Sequence, residues 1–201
     1  MALLRSPDVT WHAGGVTREA RWRALGQRGA TVWLTGLPAS GKSTIAAVVE
    51  ELLIEQSRCA YRLDGDNLRH GLCRDLGFSA EDRAENMRRT AHVACLVADA
   101  GAVAVVALVS PYAAGRAHAR QIHEHEGLPF IEVYVDTPLD ECERRDPKGL
   151  YARARAGDLP GFTGIDDPYE PPVTPELRVS GSQSVQLAAE AVVALVPPVE
   201  I

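Results

Sequence analysis

At residues 36–43 the chain reads Gly36-Leu37-Pro38-Ala39-Ser40-Gly41-Lys42-Ser43, and this stretch decides the fold because it matches G-x-x-x-x-G-K-[ST] in full. Residues 31–35 before it are apolar and β-prone, and residues 44–53 after it carry apolar side chains at three- and four-residue spacing. The pattern predicts a buried strand, a glycine loop and a helix. In such a loop the backbone N–H groups and the positive helix end converge on a phosphate. The chain is therefore predicted to bind a nucleoside triphosphate.

Within this motif, Lys42 is expected to reach the β- and γ-phosphate oxygens, and the Ser43 hydroxyl is expected to join a Mg²⁺ shell. The predicted triphosphate-binding residues are Gly36, Leu37, Pro38, Ala39, Ser40, Gly41, Lys42, Ser43 and Thr44.

Composition narrows the class of protein. The 201 residues indicate one domain with a substantial core. A net charge of −6 disfavours broad binding to nucleic acid or to an anionic membrane. The four cysteines form no C-x-x-C pair, and the first residues lack the apolar core of a signal peptide. We expect a soluble cytoplasmic protein with reduced thiols and no membrane span.

Strand and helix patterns alternate along the chain. Strands are predicted near 31–35, 60–63, 102–109, 129–135 and 177–179, and helices near 18–25, 44–53, 80–100, from about 137, and 184–195. The fold class is therefore α/β: a P-loop NTPase-type parallel sheet, nucleoside-kinase-like, with helices on both faces. The long Gly/Pro/Asp-rich stretch 157–175 indicates a lid. We divide the chain into an N-terminal arm (1–29), a P-loop domain (30–196) and a C-terminal tail (197–201).

Acidic residues follow the second predicted strand, in Asp64-Gly65-Asp66, whereas the apolar strand 102–109 ends in Ser110. Phosphoryl transfer needs an acid linked to the metal and a group that orients the attacking hydroxyl. Asp64 and Asp66 can serve both needs from one turn, although Asp-Gly is also a common solvated turn. This placement favours small-molecule kinases over motor or switch NTPases.

Arginines concentrate just after this turn, and Arg83 and Asn86 share a helix face. A guanidinium matches phosphate or sulfate, so the cluster suggests an anionic acceptor; a charged, solvated face is the alternative. Phe78 and Phe162 lie in glycine-containing loops and are candidates for stacking on a base or for anchoring the core. His118, His123 and His125 are interpreted as a solvated helix end.

Further sequence blocks accompany the phosphate loop: Leu63-Asp64-Gly65-Asp66-Asn67-Leu68-Arg69, Gly77-Phe78-Ser79, Asp82-Arg83, Glu85-Asn86, Ser110-Pro111-Tyr112, Asp136-Thr137-Pro138, Arg145-Asp146-Pro147-Lys148-Gly149 and Phe162-Thr163-Gly164-Ile165-Asp166-Asp167-Pro168-Tyr169-Glu170. Together they resemble the adenylylsulfate kinase family over nearly the whole chain. The resemblance implies transfer of the ATP γ-phosphate to the 3′-hydroxyl of adenosine 5′-phosphosulfate (APS), giving PAPS and ADP with Mg²⁺.

The resemblance also implies residue roles. Asp66 would orient or deprotonate the 3′-hydroxyl, Lys42 would act on the phosphates, and Asp64 with Ser43 would support the metal. Phe78 and Phe162 would sandwich the APS adenine, and Lys148 would belong to the lid. The APS-binding set is Asp64, Asp66, Arg69, Phe78, Arg83, Asn86, Ser110, Lys148 and Phe162. Family members usually form homodimers, and a functional link to an ATP sulfurylase is possible, although we expect no sulfurylase-like domain in this chain.

The chain departs from the family pattern at two places. Ala113 and Gly115 stand where family members often have Arg and Asp, which questions an ion pair in that loop. Pro38-Ala39 stands where Ser-Gly is commoner. Three other functions stay open: a kinase for another hydroxyl, a non-catalytic nucleotide-dependent regulator, and a nucleic-acid 3′-end kinase, which the net charge disfavours.

Overall fold

A parallel sheet of five strands forms the centre of the molecule in the computed structural model, which describes residues 9–10, 12 and 14–199. The strands are β1 (Ala30–Thr35), β2 (Ala60–Asp64), β3 (Val103–Ala107), β4 (Phe130–Asp136) and β5 (Leu177–Ser180). They lie in the order β2-β3-β1-β4-β5, and all pairings are parallel. The predicted fold class is confirmed.

The described residues also form eight helices: α1 (Arg18–Leu25), α2 (Lys42–Glu55), α3 (Gly65–Leu68), α4 (Ala80–Ala100), α5 (Ala113–His125), α6 (Leu139–Arg145), α7 (Leu150–Arg155) and α8 (Val185–Val193). The predicted helix 80–100 begins and ends as expected, with Ser79 as its N-cap. The sequence indicated only the end of α5. It missed α3 and α7, because helices of four and six residues carry little periodicity.

The core lies on both faces of the sheet. On one face, Val32 and Leu34 of β1 pack with α2 and α8; on the other, Trp33 and neighbouring strands pack with α4 and α5. All six residues of β1 are buried. A central parallel strand covered on both faces needs such a continuous apolar run. The sheet therefore holds the loop after β1 rigidly at its carboxyl edge.

The segment before β1 packs on the sheet's helices rather than standing apart. Arg18 and Arg21 of α1 pair with Asp99 of α4, and the Trp22 indole donates to the carbonyl of Ala98. Gln27 is buried and donates to the carbonyls of Cys59 and Gly101. Residues 1–8 lie outside the described part, so the predicted division at residue 29 stays a prediction.

His123 is fully buried, which corrects its interpretation as part of a solvated helix end. Its Nδ1 lies 2.8 Å from the carbonyl oxygen of Ala119, and its Nε2 lies 2.8 Å from Thr31 Oγ1. The carbonyl can only accept, so Nδ1 carries the proton and Nε2 accepts from threonine. Burial lowers the pKa of His123, so the imidazole is neutral in the fold.

Cys59, Cys73, Cys95 and Cys142 form no disulfide in the structure. In the part of the chain that the structure describes, no helix is both long enough and apolar enough to span a bilayer.

Candidate active site

The loop between β1 and α2 wraps around the ammonium group of Lys42. This group donates to the carbonyls of Gly36 (3.0 Å) and Leu37 (2.7 Å) and to Ser40 Oγ (3.3 Å). Burial lowers the pKa of Lys42 to about 8. The loop thus keeps a desolvated cation at the start of a helix, which is a suitable place for phosphate oxygens.

Two positions in this loop require glycine. A Cβ at Gly36 would lie 2.6 Å from the carbonyl oxygen of Val135 and 2.9 Å from Ser40 Oγ. Gly41, the N-cap of α2, has φ +106°, a conformation that side chains with a Cβ rarely adopt. Helix α2 begins at Lys42, two residues earlier than predicted, so Lys42 and Ser43 lie in its first turn.

The two carboxylates after β2 differ in environment. Asp64 is buried and its Oδ1 accepts from the backbone N–H of Asp66 at 3.0 Å, which caps α3. Asp66 is largely exposed and pairs with Lys148 from across the cavity. The turn is therefore a structured helix start rather than a solvated turn. It fixes Asp64 and leaves Asp66 available at the surface of the cavity.

An aromatic and cationic wall lies beyond these carboxylates. The guanidinium of Arg69 lies 4.1 Å from the centre of the Phe78 ring and donates to the carbonyls of Leu76 and Gly77. Phe78 itself is 66% exposed. A large exposed apolar ring that a buttressing arginine holds in place suits stacking on a flat ligand.

Two residues on one face of α4 extend this wall. Arg83 donates through Nε to the carbonyl of Phe78 (2.9 Å), and through its other nitrogens to Thr163 Oγ1 and the carbonyl of Gly161, each at 2.5 Å. Asn86 is buried, and its Nδ2 has no hydrogen-bond partner among the described residues. An amide that is buried without a partner is costly unless a ligand satisfies it.

The segment 146–164 covers the site from the opposite side. The Tyr151 hydroxyl of α7 donates to the carbonyl of Pro38 (3.0 Å), and Phe162 packs edge-on against Tyr151 with ring centres 4.9 Å apart. Phe162 is buried, and it borders the cavity on the lid side. Its structural environment supports both open interpretations, because it anchors the lid and faces the ligand space.

One cavity of about 900 Å³ joins these parts. The predicted site residues that line it are Pro38, Ala39, Gly41, Lys42, Ser43, Thr44, Asp64, Asp66, Arg69, Phe78, Arg83, Asn86, Ser110, Lys148 and Phe162. Gly36, Leu37 and Ser40 shape the loop from behind and do not line the cavity.

Sequence reasoning missed several contributors, including Arg145 and Arg116. Arg145 lines the cavity and donates to the carbonyls of Gly181 (2.7 Å) and Ser40 (3.3 Å). Arg116 is buried, pairs with Glu132 and donates to the carbonyl of Ser110 (2.7 Å). Arg145 opens the sequence block Arg145-Asp146-Pro147-Lys148-Gly149, so the sequence contained a signal for this residue. No sequence signal separated the second from other arginines.

The loop at Ala113 and Gly115 is held without the pair that the family pattern suggests. The Ala113 N–H donates to Glu170 Oε2 (2.7 Å), and Arg116 donates to the Glu170 carbonyl (2.6 Å). A Cβ at Gly115 would lie 2.7 Å from Met87 Cε. Glu170 thus steadies this loop in place of an ion pair.

Comparison with known proteins places this arrangement in a family. The family model described as Adenylylsulphate kinase matches residues 28–180. An adenylyl-sulfate kinase from Citrobacter koseri is 55% identical over 183 residues, which are 90% of each chain. The bifunctional enzyme CysN/CysC of Mycobacterium tuberculosis is 53% identical over 94% of this chain, which spans only 30% of that enzyme's length.

A solved structure agrees. The M. tuberculosis APS kinase CysC, in complex with AMPPNP and APS, has a TM-score of 0.82 and 56% identity, and the match covers 84% of this chain and 98% of that chain. The sheet, the phosphate loop and the sequence blocks therefore agree with both comparisons, and this chain belongs to the adenylylsulphate kinase family.

Proposed function

We propose that this chain is an ATP-dependent adenylyl-sulfate kinase that transfers the γ-phosphate of ATP to the 3′-hydroxyl of APS. One observation carries the proposal: a single cavity is lined by Lys42 of the phosphate loop, by Phe78 of the aromatic and cationic wall, and by the carboxylate residue Asp66. A triphosphate and a second anionic nucleotide can therefore bind in one cavity that also contains this carboxylate.

The reaction follows from this placement. The 3′-oxygen of APS attacks the γ-phosphorus, the bond to the β–γ bridging oxygen breaks, and ADP leaves. Asp66 orients the 3′-hydroxyl and accepts its proton, which then passes to solvent. Lys42 neutralises charge on the β- and γ-phosphate oxygens. Arg69, Arg83 and Asn86 hold the phosphosulfate and ribose, and the two phenylalanines hold the adenine.

The donor set fits Mg²⁺. The Ser43 hydroxyl and the Asp64 carboxylate both line the cavity, and Mg²⁺ takes one or two protein oxygen ligands together with substrate phosphates. The metal, when bound with ATP, would offset the negative charge of the phosphates during transfer. Asp64 is held for this role by its bond to the Asp66 N–H.

The lid keeps water from the γ-phosphate. Tyr151 ties α7 to the phosphate loop, and Arg83 ties the end of the lid to α4. Closure of this kind favours transfer to the acceptor over hydrolysis.

The setting of the enzyme is also a proposal. It would act in the cytoplasm as a homodimer without a nucleic-acid or membrane partner, on APS supplied by an ATP sulfurylase. Residues 30–196 would form the P-loop domain, flanked by the arm and the tail. Sedimentation velocity that gives a single monomeric species at micromolar protein would exclude the dimer.

The test combines product analysis with one substitution. Mg·ATP and APS should give equal amounts of PAPS and ADP, and D66N should lower kcat by about 10²–10⁴-fold, because the proton acceptor is lost, with little change in ATP affinity. D140N, at an exposed position outside the cavity, is the matched control. ADP without PAPS would mean another acceptor, tight ATP binding without turnover would mean a regulator, and unchanged kcat in D66N would remove the role of Asp66.

A further inference from the structure

The carboxylate of Asp167 contacts side chains from three separate parts of the site. Its Oδ1 accepts from the Tyr112 hydroxyl at 2.7 Å, and its Oδ2 accepts from Thr163 Oγ1 at 3.2 Å. The same Oδ2 lies 4.0 Å from a guanidinium nitrogen of Arg83. We call the set Arg83, Tyr112, Thr163 and Asp167 the acceptor clasp.

The clasp connects segments that are distant in sequence. Tyr112 is the N-cap residue of α5 and lies two positions after Ser110. Thr163 lies near the end of the segment 146–164 that covers the site, and Arg83 lies on α4. The backbone of Asp167 is itself fixed, since its carbonyl accepts from the Gly164 N–H at 2.8 Å. The Asp167 side chain is only 19% exposed, and that of Arg83 only 13%. A rigid, half-buried carboxylate therefore joins three walls of one cavity.

Each arm of the clasp holds a group that faces the ligand space. Thr163 donates to Asp167 and accepts from Arg83 at 2.5 Å, so the carboxylate orients the guanidinium through the hydroxyl. Tyr112 ties down the loop of Ser110, a buried residue with φ +41°. A strained backbone of this kind persists only where its surroundings hold it. The hydrogen bond to Asp167 raises the pKa of Tyr112, which keeps the hydroxyl a donor.

We infer that Asp167 is a positioning residue for APS: it aligns Arg83 and the Ser110 loop before the acceptor binds, without touching the reacting atoms. The inference rests on the proposed function. It predicts different effects on the two substrates. The clasp holds the aromatic and cationic wall, whereas the Lys42 ammonium is held by carbonyls of its own loop. Loss of the Asp167 carboxylate should therefore weaken the binding of APS and leave the binding of ATP nearly unchanged.

The substitution D167N keeps the shape and removes the charge. Its amide can satisfy Tyr112 through oxygen but then presents a donor to Thr163 and Arg83, so the Arg83 arm is lost. We expect KM for APS to rise about tenfold or more, with KM for ATP and kcat at saturating APS within about twofold. D158N, an exposed residue of the same segment outside the clasp, should leave both KM values unchanged.

The two arms can be measured separately. Y112F and T163V each remove one hydroxyl, and each should raise KM for APS by less than D167N does. The pair T163V and D167N should be non-additive, because both act through the same contact to Arg83. Thermal unfolding shows whether each variant folds. If D167N does not fold, the KM of Y112F for APS tests the inference instead.

The outcomes distinguish this inference from the proposed function. No APS-dependent PAPS from the unsubstituted chain would overturn the function. PAPS formation with an unchanged KM for APS in folded D167N, or with equal rises in both KM values, would overturn the positioning role while the function stands.

Discussion

At the scale of single residues, burial decides what the charged groups of the site can do. Lys42 is buried beneath carbonyl oxygens, Asp64 is buried and hydrogen-bonded, and Asp66 is exposed. The same residue type, aspartate, is therefore buried and held by a backbone N–H at position 64, whereas at position 66 it is exposed and pairs with Lys148. The sequence predicts that all three residues lie at a phosphate-binding site, but it does not distinguish their environments.

Because the pKa of Lys42 is lowered, we expect nucleotide binding to be accompanied by the uptake of a proton at this residue. In the free protein this pKa is about 8, because burial disfavours the charged form. Bound phosphates favour the charged form and raise the pKa, so ATP binding at pH 8.5 should take up roughly three-quarters of a proton, and close to none at pH 6.5. Calorimetry in two buffers of different ionisation enthalpy measures this uptake.

The variant K42R is the control, because a guanidinium stays protonated at both pH values. A binding enthalpy for the native chain that does not depend on the buffer at pH 8.5 would contradict the shift.

At the scale of elements, helix α4 holds most of the aromatic and cationic wall of the cavity. Phe78 immediately precedes its N-cap, and Arg83 and Asn86 lie in its first two turns. The start of this helix therefore sets the position of three site residues. Helix α8 has a similar serine cap but lies on the other face of the sheet, where it packs with α2. The two helices offer a matched comparison.

The variant S79A removes the hydroxyl that accepts from the Asp82 N–H at 3.1 Å, and S184A removes the one that accepts from Leu187 at 3.2 Å. Each should lower the free energy of unfolding by about 1 kcal/mol. Only S79A should raise KM for APS, by a few-fold, because only that helix start holds the aromatic and cationic wall, to which we assign APS binding. Urea denaturation and steady-state kinetics check both parts, and equal KM values in the two variants would contradict the coupling.

At the scale of the whole molecule, two apolar layers hold the sheet and leave its carboxyl edge for the site. His123 is a buried polar group in the layer beneath α4 and α5, where its imidazole lies 5.0 Å from the ring of Phe130. Because its folded pKa lies below the unfolded value of 6.5, the unfolded chain binds more protons at low pH. Its contribution to stability is present above pH 6.5 and is lost as the pH falls through the folded pKa.

The variant H123Q should flatten this dependence. Between pH 6.5 and 5 the native chain should lose stability more steeply than H123Q, by up to about 1.4 kcal/mol per pH unit. Denaturation at several pH values measures the two slopes, with H125Q, at an exposed position, as the control. Parallel curves for the native chain and H123Q would contradict a neutral buried imidazole.

The sequence by itself determined the family, the parallel sheet and the triphosphate loop. These depend on local patterns: the loop spacing at Gly36–Ser43, the continuous apolar run of β1, and the cap and length of α4. Family membership and fold are confirmed, whereas the roles of the site residues stay proposals. Backbone requirements at Gly36 and Gly41 are local, so a motif can report them.

Only the tertiary structure decided which side chains are buried and which distant groups meet. The structure shows that His123 and Phe162 are buried. It also brings together residues that lie tens of positions apart, as in the contact of Arg83 with Gly161 and the pairing of Lys148 with Asp66. Sequence spacing carries no information about such contacts, because they depend on how the strands order themselves and on where the lid crosses the sheet. The acceptor clasp around Asp167 belongs to this class, since only packing brings Arg83 and Tyr112 to the segment that contains both Thr163 and Asp167.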